Sequence, residues 1–148
     1  MCVLVKPISR LYADTHDSQQ DRKMNLNHPL IQTVKKLIDA GCHYRLDELA
    51  QYYTSDLRII IVQPNGETAQ FDYEQNMAFF RRRLEEGSAA LNTEARFDYV
   101  GEQGDTGYVI VTRNLDLGAG GQTIVFSLML RQEAGCWRVF REHAVVVA

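Results

Sequence analysis

Residues 122–147 read QTIVFSLMLRQEAGCWRVFREHAVVV, and this stretch decides the fold class. Gln122 to Arg131 and Cys136 to Val147 are β-rich runs separated by turn residues, which predicts two long strands. Upstream, Ala95 to Gly101 and Gly107 to Leu115 have the same make-up, so four such runs follow one another through short connections. A series of this kind pairs as an antiparallel meander. Alternation sets Ile124, Phe126, Leu128 and Leu130 on one face and Val125, Ser127 and Met129 on the other. Both parities carry large apolar residues. Helices can cover only one of them, so the second predicts contact with another subunit.

Toward the N-terminus the hydrophobic period lengthens from two to 3.6 residues. Asn27 ahead of His28-Pro29 marks a helix start. Leu30, Ile31, Val34, Leu37 and Ile38 then recur at helical spacing up to a stop near Gly41. A shorter helix is expected from about Arg45 to Tyr53, with Leu46, Leu49, Ala50 and Tyr53 on one stripe. Leu57 to Gln63 is a β-branched strand halted by Pro64-Asn65-Gly66. Asp72 and Gln75 have capping-box spacing and open a third helix through Met77, Phe80 and Leu84 to Gly87. Helix, helix, strand, helix and four strands predict an α+β domain whose helices are segregated from a strongly bent, mostly antiparallel sheet.

The whole chain agrees with this. Its 148 residues fit one domain, which at this length buries roughly 68–70% of its unfolded surface. The 45% hydrophobic and 24% charged content is that of a globular protein, and a net charge of −3 gives no electrostatic footprint for nucleic acid or an anionic membrane. Cys2, Cys42 and Cys136 are too scattered for a disulfide framework or a zinc site, so no metal is expected. No apolar run approaches the roughly 20 residues of a membrane span. Met1 to Val5 is interrupted by Lys6, Pro7 and Arg10, unlike a secretory signal, and a cytoplasmic location is expected. Residues 1–23 read as a partly ordered arm ahead of a single domain over residues 24–148. The arm's Leu4, Ile8, Leu11 and Tyr12 form an apolar stub that either docks on a partner subunit or frays.

The segment AGCHYRLDELAQYYTSDLRIIIV, the capped helix ending FFRRRLEEG and the hairpin ending GCWRVFREHAVVV resemble the nuclear-transport-factor-2-like superfamily, particularly its SnoaL-like members. The resemblance covers about Asn27 to Val147. It implies a cystatin-like cone in which a curved sheet wraps a long helix, a pocket at the open end, and homodimers paired through the outer sheet face. The superfamily includes ketosteroid isomerase, dehydratases and polyketide cyclases, alongside proteins that bind small molecules or other proteins. Ketosteroid isomerase chemistry needs a carboxylate base, a tyrosine and a protonated acid. On the family pattern the base position falls on Ile61, the tyrosine position on Leu37 or Val34, and the acid position near Phe126 or Ser127. That reaction is therefore not expected.

Strand parity carried over from the family places Trp137, Val139, Arg141 and His143 on the outer, dimer-facing side, and Arg138, Phe140 and Glu142 toward the cone. Tyr53, Phe80, Phe126, Leu128 and Phe140 are then the expected pocket wall. Arg138 would fix a ligand carboxylate or enolate with Glu142 as base, or the two would form a structural ion pair at the rim. Tyr53 is preferred among the tyrosines because it continues the Leu49 stripe. Arg81-Arg82-Arg83 lies near a helix C-terminus and reads as a solvated face. Gly118 to Gly121 lacks the following helix and the Lys-Ser/Thr pair of a phosphate loop. The expectation is a homodimeric protein whose apolar cone pocket binds a small organic molecule without a tightly held cofactor. The alternatives are a cofactor-independent isomerase, dehydratase or cyclase, and a protein-interaction module.

Overall fold

Side-chain caps start the two longer helices. The computed structural model describes residues 24–147, and the arm over residues 1–23, with its apolar stub and Cys2, lies outside the described residues. Helix α1 (Pro29–Cys42) is capped by His28 rather than Asn27, its Nδ1 accepting from the Leu30 N–H at 3.1 Å. Leu30, Ile31, Val34, Leu37 and Ile38 are all buried, as their spacing predicts. Helix α2 (Leu46–Ala50) is a single short turn that ends before Tyr53, which instead opens strand β1 (Tyr53–Val62). Helix α3 (Tyr73–Glu85) carries the expected capping box, with Gln75 N–H donating to Asp72 Oδ1 and Asp72 N–H to Gln75 Oε1, both at 2.9 Å.

A short strand, β2 (Thr68–Asp72), was not visible in the sequence, because Thr68 to Gln70 are exposed and carry no alternating apolar pattern. It pairs antiparallel with β1 across the Pro64-Asn65-Gly66 turn, where Gly66 has a φ of +86°. The four later strands are β3 (Arg96–Gln103), β4 (Thr106–Asp116), β5 (Gly121–Glu133) and β6 (Cys136–Val146). They form the expected meander. The six strands make one curved, unclosed sheet in the order β2-β1-β6-β5-β4-β3, and β1 with β6 is its one parallel pair. Helix α1 lies in the concave face against Val109, Val111, Leu128, Leu130 and Val139, all essentially fully buried. The architecture is the expected α+β cone.

A β-bulge corrects the expected parity of the last strand. Leu128 is opposite Glu142 and Met129 opposite Arg141, but Leu130 is opposite Val139, so Phe140 is an extra residue in β6. One inserted residue moves everything before it to the other face. Trp137 and Val139, expected on the outside, are therefore in the core with exposures of 9% and 0%. Arg138 and Phe140, expected in the cone, are on the outer face. Arg138 stands opposite Arg131, and the Phe140 ring lies between the guanidinium groups of Arg131 and Arg141, 5.3 and 5.6 Å from its centroid. Glu142 alone keeps the inward direction, and Arg141 and His143 the outward one.

Candidate functional site

The open end of the cone holds a cavity of about 230 Å³. Its wall is mostly apolar: Leu37 and Ile38 from α1, Ile59 and Ile61 from β1, Phe71 from β2, and Phe79 and Phe80 from α3, packed edge to face with centroids 5.2 Å apart. Phe126 and Leu128 of β5 and Val111 and Leu115 of β4 complete it. Of the residues expected to line a pocket, Tyr53, Phe80, Phe126, Leu128 and Glu142 do so, whereas Arg138 and Phe140 are carried away by the bulge. Of the residues that the family resemblance aligned with isomerase positions, Ile61, Leu37 or Val34, and Phe126 or Ser127, the cavity wall contains Leu37, Ile61 and Phe126, all three apolar.

Glu142 is the only acid among the described lining residues and enters no ion pair or side-chain hydrogen bond there. Its carboxyl is enclosed by the wall. Burial pushes its pKa up to about 7, against a smaller lowering by the charge of Arg113. Tyr53, 4% exposed, has its hydroxyl pushed upward in pKa, by burial first and by the charge of Glu142 second, against smaller lowerings by the nearby Asn76 amide, which falls short of hydrogen-bond geometry, and by the charge of Arg113, so it stays neutral. Asn76, one residue into α3 from Gln75 and 9% exposed, has a side-chain nitrogen with no partner. A buried amide donor without a partner is uncommon, and this one lines the cavity.

Arg113 takes the cationic role expected of Arg138. It shares the inward parity of Val109, Val111 and Leu115 on β4. Its Nη2 donates to the Asn92 carbonyl at 2.7 Å and to Cys42 Sγ at 3.2 Å, and its Nε to the Glu94 carbonyl at 3.4 Å. Nη1 has no protein partner among the described residues. Residues 86–95 are in turn fastened to the C-terminus of α1: Leu91 N–H donates to the Cys42 carbonyl at 3.1 Å, Cys42 Sγ to the Asn92 carbonyl at 3.3 Å, and Tyr44 hydroxyl to the Ala89 carbonyl at 2.8 Å. The guanidinium is thus held at the cavity by neutral carbonyls, which leaves its charge uncompensated by any direct acid contact. Both missed residues had a signal: Arg113 in the alternation of β4, and Asn76 four residues before Phe80 on one face of α3.

No protein-family model matches the sequence, and no curated protein matches it. Solved structures do match. An NTF2-like protein from Cytophaga hutchinsonii superposes with a TM-score of 0.63 at 20% identity, over 83% of this chain and 99% of its own. An NTF2-like protein of unknown function from Silicibacter pomeroyi gives 0.63 at 16% identity over 90% and 98%. A ketosteroid isomerase-like protein from Erwinia carotovora atroseptica gives 0.59 at 12% identity over 85% and 99%. At such identities the likeness is one of fold.

Proposed function

We propose that this chain, whose fold is nuclear-transport-factor-2-like, binds a small, mostly apolar organic molecule in the mouth of its cone. One observation carries the reading: a polar cluster centred on an unpaired carboxyl projects into an otherwise apolar cavity of about 230 Å³. That combination is the usual make-up of a ligand site, and the volume lies just under the roughly 300–1,000 Å³ of sites for drug-sized ligands, so the ligand is compact. Open space also supports binding over a purely protein-docking role, which a filled cone would serve equally well. A thermal-shift screen of small carboxylates, steroids and aromatic polyketide-like compounds tests it, run on wild type and on Ile61→Trp, which fills the cavity from β1. A cavity ligand raises the melting temperature of wild type and not of the variant. Shifts that are the same in both proteins, or none at all, refute the reading.

A second reading, proton-transfer catalysis of the isomerase, dehydratase or cyclase kind, is favoured by the pKa of Glu142. A carboxyl near 7 is half ionised at neutral pH, the condition suited to a general acid or base. Deuterium uptake from D₂O into carbon positions of a bound ligand, abolished in Glu142→Gln, is its signature. Failure of any screened ligand to exchange counts against it.

We place the homodimer contact on the outer face of β4 to β6, where Val125, Met129, Arg141 and His143 lie. Light scattering on Met129→Glu should show a monomer where wild type shows a dimer. Cys136, an exposed free thiol, suits the reducing cytoplasm.

A further inference from the structure

We infer that the cavity selects compact monocarboxylates with an apolar tail, the carboxylate lodged among Arg113, Asn76, Tyr53 and Glu142; this rests on the binding reading above and narrows it to one ligand class. The polar groups of the wall divide unequally between donors and acceptors. Arg113 offers a free Nη1, Asn76 an unpartnered side-chain nitrogen that is nine-tenths buried, and Tyr53 a hydroxyl. The Gln75 carbonyl already accepts from the Asp72 N–H, and the Cys42 thiol already donates to the Asn92 carbonyl. Glu142 is the one acid, and once protonated it too becomes a donor. A ligand head that accepts several hydrogen bonds and carries negative charge matches this set. An ammonium head matches it less well, because Glu142 is its one anionic partner and Arg113 repels it across a low-dielectric space. The tail follows from the wall, where Ile61, Phe71, Phe80 and Leu128 leave apolar surface only.

Binding by this geometry has a proton cost. Glu142 feels the charge of Arg113 from β4 and lies close enough to Tyr53 of β1 to act on its hydroxyl; the other polar residues lining the same cavity are Asn76 and Gln75 from α3 and Cys42 from α1, while β5 contributes Phe126 and Leu128. Only Arg113 among these is charged at neutral pH. A single cation does not neutralise two carboxylates sharing an enclosed site, so the ligand carboxylate enters as the anion and Glu142 takes up a proton. No bond is made or broken; the proton comes from solvent.

The test uses the full chain and three ligands of one skeleton: phenylacetate, 2-phenylethanol and 2-phenylethylamine. Isothermal titration calorimetry at pH 6 is expected to rank phenylacetate first by at least about tenfold. Its Kd should then rise about tenfold between pH 6 and pH 8, with proton uptake detected from the buffer-ionisation dependence of the heat. Glu142→Gln should bind phenylacetate with the pH dependence removed, and Arg113→Gln should weaken it by about tenfold or more. The wild-type pH profile decides the matter even where Arg113→Gln fails to fold. Equal or tighter binding of the alcohol or amine overturns the carboxylate assignment while leaving the cavity reading intact. Phenylacetate binding with no proton uptake overturns the shared site. If none of the three binds, the cavity reading falls as well.

Discussion

Replacing Glu142 by Gln should make the protein more stable, and only above about pH 5. In the unfolded chain the carboxyl titrates near its ordinary value of 4.5, and in the folded chain near 7. Below both values each state holds the proton and the group contributes nothing to the pH dependence. As pH rises from 4.5 to 7 the unfolded state releases its proton while the folded state retains it, so stability falls with pH across that window. The full displacement of about 2.5 pH units corresponds to about 3 kcal/mol, reached at about pH 8. Gln reproduces the shape of the protonated acid and does not titrate. Urea unfolding of both proteins from pH 4 to pH 8 isolates the effect, since Asp39 and Asp56, whose pKa values are lowered and which pair with Arg45 and Arg131, are common to the two. The difference in unfolding free energy should move by about 3 kcal/mol in favour of Gln between the ends of that range. For a chain of this size that is about 6–12 °C in melting temperature. A difference that stays flat with pH, or that favours the acid at pH 8, would refute burial of an unpaired carboxyl in the cavity.

Four further outcomes are expected. Gly107→Ala should cost about 1–3 kcal/mol in urea unfolding, because its Cβ would stand 2.5 Å from Cδ2 of the fully buried Leu30, and combining it with Leu30→Ala should cost less than the sum of the two. Asp72→Ala removes the side-chain arm of the capping box, leaving the Gln75 N–H without its acceptor, and should lower stability by about 1 kcal/mol in the same assay. Arg113→Met unfastens the Asn92 carbonyl, so amide exchange at Leu91, measured by NMR, should accelerate while that of β5 stays slow. Phe140→Ala should leave the affinity of any cavity ligand unchanged in calorimetry, whereas Phe126→Ala should weaken it by about tenfold.

Most of the fold was legible because the signals that specify it are local. The α1 stripe, the Asp72–Gln75 box and the alternation of β5 each state one element and the face it buries. The short β2 strand carries no such pattern, being exposed for most of its length, and it exists because β1 offers it an edge. The site was legible only in part. Phe80, Phe126, Leu128 and Glu142 follow from periodicity together with the family resemblance. Tyr53 was expected at a pocket from a helical stripe; it lines the cavity but opens a strand. Arg138 and Phe140 went to the wrong face because nothing in WRVFREH marks a bulge: neither glycine nor proline is present, and the extra residue is defined by the register against β5. Pairing register is a property of two strands, and a single strand's sequence does not contain it. Arg113, by contrast, follows from β4 alone once its alternation is applied to a charged residue as strictly as to the apolar ones.

The parallel pairing of β1 with β6 inside the sheet also dictates an order of events during synthesis. Residues 53–62 leave the ribosome long before residues 136–146, which supply their middle neighbour. Until translation has passed that point, Leu57 and Ile59 lack one flank of their final surroundings, and Glu142 has not yet been made. Until β6 has been made the nascent chain therefore holds an incomplete sheet with β1 unpaired on one side, and it acquires its cavity only when β6 joins.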